Sequence, residues 1–94
     1  MEGKMKAYKI FHNDWTCRGF QFEVGKTYKH SGEVSVCSQG FHACEKLKDC
    51  FEYYPPVQWM KFAAVELGGT IKTNDNKSAA SEITIVREIP FEDI

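Results

Sequence analysis

Phe41-His-Ala-Cys-Glu-Lys-Leu-Lys-Asp-Cys-Phe-Glu-Tyr-Tyr-Pro-Pro56 decides how this 94-residue chain is read, because its hydrophobic period changes partway along. Phe41-His-Ala-Cys44 alternates as a strand does, after a break at Ser38-Gln-Gly40. From Glu45 to Tyr54 the period lengthens. Leu47, Cys50, Phe51 and Tyr54 fall at i, i+3, i+4 and i+7, one face of a helix. Pro55-Pro56 ends it, since proline disfavours helical geometry in the residue before it. The spacing predicts one principal helix over about residues 46–54.

Outward from that helix the chain reads as strands. Lys6-Ala-Tyr-Lys-Ile-Phe11 is rich in β-formers and predicts a first strand, followed by a turn at His12-Asn-Asp14. Cys17-Arg-Gly-Phe-Gln-Phe22 is extended, with Phe20 and Phe22 on one face; glycine turns follow at Gly25 and at His30-Ser-Gly32. Glu33-Val-Ser-Val-Cys37 alternates as a half-buried strand. Lys61-Phe-Ala-Ala-Val-Glu-Leu67 predicts a central strand, Gly68-Gly69 a tight turn, and Thr70-Ile-Lys-Thr73 a return across it. Asn74-Asp-Asn-Lys77 is a polar loop, and for Ser78-Ala-Ala-Ser81 a short helical turn is one reading. Glu82-Ile-Thr-Ile-Val-Arg-Glu-Ile89 is the clearest strand, with Ile83, Ile85 and Arg87 on one side. The expected fold is α+β: a mostly antiparallel sheet with one helix, in a single domain over residues 1–94. Phe41, Phe51, Tyr54 and Phe62 are candidates for a shared core.

Composition bounds the function. A net charge of −1, with acids and bases interspersed, argues against a non-specific nucleic-acid binder, which would carry a basic stripe. No apolar run reaches the roughly 20 residues a membrane helix needs, and no signal-peptide pattern follows Met1, so a cytoplasmic protein is expected. In a reducing cytoplasm the four cysteines are expected as free thiols rather than disulfides.

Three constellations bear on chemistry. Cys37, His42, Cys44 and Cys50 supply four potential zinc ligands, but their Cys-x6-Cys and Cys-x5-Cys spacings lack the tight knuckle of structural zinc sites. Core thiols are the favoured reading, so no metal and no cofactor are assigned. His42 and Cys44 sit side by side, yet no orienting residue completes a nucleophilic triad. Arg18, followed by a glycine at a turn, presents a guanidinium suited to a phosphate or carboxylate. With His42, Tyr53, Tyr54 and Trp59 it makes a candidate aromatic-walled pocket for a nucleotide-like ligand or a protein partner.

Cys17-Arg-Gly-Phe-Gln-Phe-Glu-Val-Gly-Lys-Thr-Tyr28, Gly40-Phe-His-Ala-Cys44 and Phe51-Glu-Tyr-Tyr-Pro-Pro56 together resemble a small domain of bacteriophage and prophage genomes, itself of unknown function. The resemblance implies a phage origin, a bacterial host cytoplasm and no transferable catalytic residues. It suggests a binding or inhibitory module acting on a host protein, in an anti-defence role, or on a nucleotide-like ligand. A fainter similarity is to ADP-ribosyltransferases, through Arg18, Gly40-Phe-His42 and Glu82 or Glu88, though no Ser-Thr-Ser element or Glu-x-Glu is present. It implies a transferase or a non-catalytic relic of one. The third reading is a structural domain with a Cys/His zinc site.

Overall fold

The computed structural model describes residues 4–35, 39–50, 60–74 and 77–93. Strand β1 (Met5–Phe11) is followed by two short pieces, β2 (Thr16–Cys17) and β3 (Phe20–Gln21), which form a hairpin. Strand β4 (Thr27–Lys29) and strand β5 (Phe41–Cys44) come next, then one helical turn, α1 (Leu47–Cys50). Two long strands, β6 (Lys61–Asn74) and β7 (Lys77–Ile89), precede a closing 3-10 turn at Phe91–Asp93.

All the pairings are antiparallel. β6 and β7 form one long hairpin, paired from Phe62 opposite Ile89 to Asn74 opposite Lys77 with two register shifts between. The other edge of β6 takes β1, from Met5 opposite Leu67 to Phe11 opposite Lys61. The other edge of β7 is shared: Lys77 to Ala80 pair with β5, and Glu82 to Thr84 pair with β4. β5 and β1 then meet through one pair, Tyr8 opposite Cys44. The ring β1–β6–β7–β5 therefore closes on itself, so the sheet encloses its own core.

Alternation along the strands sorts two clusters. Ala7, Phe11, Phe22, Phe41, Ala63, Val65, Leu67, Ile83 and Ile85 fill the inside. Ile10, Cys44, Cys50, Phe62 and Ile89, with Leu47 against them, form a smaller cluster outside the ring, under α1. At the hairpin end, Phe22 meets Phe11 and Tyr28 edge-on at centroid separations of 5.3 and 5.2 Å.

The α+β expectation is corrected by this arrangement. The described helical structure is α1 and the closing 3-10 turn, and the domain is mainly antiparallel β. Closure is the physical reason: a ring of strands buries its inner face without a helix laid across it. Of the expected helix over 46–54, Leu47 to Cys50 is helical, and residues 51–54 lie outside the described residues. The shared core is corrected too, because Phe41 belongs to the inner cluster and Phe62 to the outer one; Phe51 and Tyr54 lie outside the described residues.

Gly68-Gly69 is not a turn. β6 runs straight through it, and the register slips between Gly68 and Ile71, a β-bulge. Gly69 has φ +67°, and a Cβ built there would overlap Ser81 Oγ. The bulge frees the Thr70 amide, which donates to that same hydroxyl at 2.9 Å. Ser78-Ala-Ala-Ser81 is likewise strand rather than helical turn. Its small side chains suit a segment with strands on both edges, and Ser78 and Thr73 join their hydroxyls across the ladder at 2.7 Å.

A second register slip lies between Ala64 and Val65 of β6, opposite an extra residue, Val86, on β7. The extra residue switches the faces. Ile83 and Ile85 point inward, Arg87 is exposed, and Ile89 joins the outer cluster. The expected single face for Ile83, Ile85 and Arg87 ends at this bulge. Of the strand expected over Glu33–Cys37, Ser35 forms an isolated bridge with Gln39, and residues 36–38 lie outside the described residues.

Candidate functional site

The ring has one weak seam. β1 and β5 pair at Tyr8 and Cys44 and nowhere else among the described residues, so the strands part beyond that point. A cavity of about 220 Å³ opens there. β1 contributes Tyr8, Lys9 and Ile10, and the β2–β3 hairpin contributes Cys17 and Arg18. The remaining wall is His42, Ala43 and Cys44 of β5, Cys50 of α1 and Lys77 of β7. Four of these side chains carry basic nitrogen, and no carboxylate of the described residues lines the cavity.

Lys9 is the centre of the site. Alternation along β1 puts it on the inward face between Ala7 and Phe11, and it is only 7% exposed. Its Nζ donates to the backbone oxygen of His42 at 2.7 Å. The Phe11 and Phe22 rings lie 5.8 and 5.9 Å from the ammonium nitrogen. Burial pushes the Lys9 amine below its ordinary value; Cys17 and Cys50 oppose that shift, and Arg18 adds to it. None of the described ion pairs includes Lys9; they join Lys4 to Glu66, Lys26 to Glu23 and Lys61 to Glu88.

Arg18 and His42 are brought together at this cavity, as their pairing in one candidate site requires. Arg18 and Gly19 form the two-residue turn of the β2–β3 hairpin, with φ +53° and +81°. That turn needs positive φ at both central positions, which suits Gly19 and strains Arg18. The strain holds an exposed guanidinium at the cavity wall. The backbone at Ser35 and Gly40 favours the protonated His42 ring. Burial first, then the charges of Lys9 and Arg18, hold its imidazole below the ordinary value, so neutral His42 is the form favoured at pH 7. Tyr53, Tyr54 and Trp59 lie outside the described residues.

Two thiols complete the wall. Cys50 Sγ donates to the Tyr8 carbonyl oxygen at 3.4 Å. Interaction between the two thiols lowers Cys44 from its ordinary value, against the effect of burial, and raises Cys50, with burial adding to the rise. Cys17, Cys44 and Cys50 are free thiols, and Cys37 lies outside the described residues. Among the described residues no group of three or more His, Cys, Asp or Glu side chains is placed to hold a metal ion.

Lys9, Cys17 and Lys77 are site residues that motif reading missed. The signal was present in β1, where Met5, Ala7, Lys9 and Phe11 share one parity, which places a lysine on a core-facing position. A second depression, between Tyr8, Lys46, Arg87, Glu45 and Asp93, carries charges of both signs and defines no such environment.

Fold and site together define a small, self-closed antiparallel β domain with a cation-lined cavity at its seam. The chain belongs to the DUF7666 family, a domain of unknown function, which matches residues 5–94. No curated protein and no solved structure matches the chain. No helix among the described residues is long and apolar enough to cross a membrane.

Proposed function

We propose that this domain is a binding module that takes a small anionic ligand, of the nucleotide-like class, by its phosphate at the seam cavity. One observation carries the reading: Lys9, Arg18 and Lys77 line a single cavity, and no carboxylate of the described residues is part of its lining. Positive charge gathered in a partly apolar recess is stabilised by an anion, and the recess weakens the screening that water provides. Tyr8 and Ile10 supply apolar wall of the kind that ligand pockets combine with a few polar groups. A bacteriophage or prophage source, a bacterial cytoplasm and a sequestering role toward a host system are part of the same proposal, and they rest on the sequence resemblance.

The transferase alternative needs Arg18 and a late glutamate in one cleft. Glu82 and Glu88 do not line the cavity, and Glu88 pairs with Lys61 at 3.4 Å. The binding reading is therefore the one developed.

Isothermal titration with inorganic phosphate, and with an adenosine nucleotide, tests it. Saturable binding with a Kd of about 1 mM or tighter is expected, weakened about tenfold in Arg18→Ala. Equal affinities for wild type and Arg18→Ala, or no heat of binding for either ligand, would sink the proposal.

A further inference from the structure

We propose that Cys44 and Cys50 are a peroxide-reactive dithiol: hydrogen peroxide oxidises Cys44, and Cys50 closes a reversible disulfide onto it. This goes beyond the anion-binding reading and does not depend on it. Three observations of geometry carry it.

First, alternation along β5 sorts its side chains. Phe41 and Ala43 belong to the inner cluster and Cys44 to the outer one. The helical turn α1 delivers Cys50 to that same outer cluster, so the two thiols share one apolar environment. Second, the register sets Cys44 directly opposite Tyr8, and the Cys50 sulfur lies 3.4 Å from the Tyr8 carbonyl oxygen. Directly opposed residues of an antiparallel pair have Cα atoms about 4.5–5.5 Å apart, so the Cys50 sulfur sits beside the ladder position that Cys44 occupies. Disulfide closure needs such proximity, because it tolerates Cα separations of only about 4.4–6.8 Å. Third, the remaining described cysteine is sorted away from this pair: Cys17 packs against the inner cluster. Both members of the pair also belong to the lining of the seam cavity, whose volume of about 220 Å³ admits a molecule scarcely larger than water.

The order of events follows from the unequal thiols. Cys44 is the one held below its ordinary value, and the thiolate is the form that attacks peroxide. Its sulfur takes one peroxide oxygen as the O–O bond breaks, giving a sulfenic acid and hydroxide. The Cys50 sulfur then displaces the sulfenic oxygen, which leaves as water with the Cys50 proton. One S–S bond has formed, the two sulfurs have lost two electrons in all, and the peroxide has been reduced to water. An external dithiol reverses the change by two exchange steps. Oxidation also removes the Cys50 S–H donor to Tyr8 and ties β5 to α1 covalently, at the one point where β1 and β5 pair among the described residues.

The full chain, reduced and freed of reductant, is treated with hydrogen peroxide and alkylated in denaturant. Trypsin cuts after Lys46 and Lys48, so a Cys44–Cys50 bond appears as two peptides joined together. We expect the intact mass to fall by two hydrogens, two of the four thiols to escape alkylation, and the joined peptides to be those of Cys44 and Cys50. Dithiothreitol should restore every thiol. Cys17→Ser should keep the crosslink, and in Cys50→Ser the oxidation should stop at a Cys44 sulfenic acid, trapped by dimedone. The wild-type peptide map decides the matter without either variant. Four alkylatable thiols after peroxide treatment, or a crosslink that joins Cys44 to Cys17 or Cys37, would overturn the proposal.

Discussion

Lys9 Nζ donates to the backbone oxygen of His42 at 2.7 Å, across the seam where β1 and β5 have stopped pairing. A side chain thus supplies the hydrogen bond that the ladder does not. An ammonium is a costly donor for that purpose in a buried position, since a neutral side chain would avoid the desolvation.

Lys9→Met should therefore fold, with stability unchanged or raised by up to about 2 kcal/mol, because an apolar residue replaces a buried amine. The pH dependence has a definite sign. The folded-state value of Lys9 lies below 10.5, so the unfolded chain binds more protons in the window between the two values. The Lys9 penalty is full below that window and fades as pH rises through it. The melting temperature of wild type, relative to Lys9→Met, should rise from pH 7 toward pH 10. Parallel curves for the two proteins would show that Lys9 titrates as an exposed lysine does.

Gly69 and Gly68 are adjacent but should respond differently to alanine. At Gly69 the backbone has φ +67° and a Cβ meets Ser81, so Gly69→Ala should cost about 1–3 kcal/mol. At Gly68 the nearest atom to a Cβ is Glu82 Cβ at 3.7 Å, an ordinary contact, and the change should stay within about 1 kcal/mol. Urea denaturation of both variants measures this. Equal costs would contradict a bulge centred on Gly69.

The interaction between Cys44 and Cys50 predicts unequal thiols. Cys44 should be alkylated by a small reagent at lower pH than Cys50, because that interaction lowers Cys44 and raises Cys50. Cys50→Ala removes that neighbour, so the Cys44 reactivity profile should move to higher pH. An unmoved profile would mean that the thiols act independently.

Arg18 sets turn strain against ligand binding. At φ +53° a glycine is better suited than arginine, so Arg18→Gly should raise stability by up to about 1 kcal/mol. The same variant should bind phosphate more weakly, which is the trade-off expected where a strained residue serves a site. Thermal melts and phosphate titration on one sample read both effects. Lower stability with unchanged binding would refute the assignment of Arg18.

The elements visible in the sequence are those with large apolar residues in strict alternation. β1, β5 and the halves of β6 and β7 at Lys61–Leu67 and Glu82–Ile89 are of this kind. What the sequence hides is where alternation is broken or carries no size contrast. Gly68-Gly69 is the same dipeptide in a turn and in a bulge; the position of Ser81 on the partner strand decides between them. Ser78-Ala-Ala-Ser81 has no bulky residue to show its period. Val86 reads as one more strand residue, yet it reverses the face of everything after it. Closure of the ring depends on the Tyr8–Cys44 pair, between strands separated by the whole hairpin region, and no local pattern encodes such a contact. In the site, Arg18 and His42 were legible from turn chemistry and residue type. Lys9 was not, because a lysine in an alternating strand is ordinarily read as solvent-facing.

The central claim is that the seam cavity binds an anion. Mapping amide shifts of ¹⁵N-labelled protein during titration with inorganic phosphate tests it most directly. The account predicts saturable shifts at Lys9, Arg18, Ala43 and Cys44 that weaken in Arg18→Gly. Non-saturable shifts, or shifts confined to exposed lysines such as Lys4 and Lys26, would contradict it.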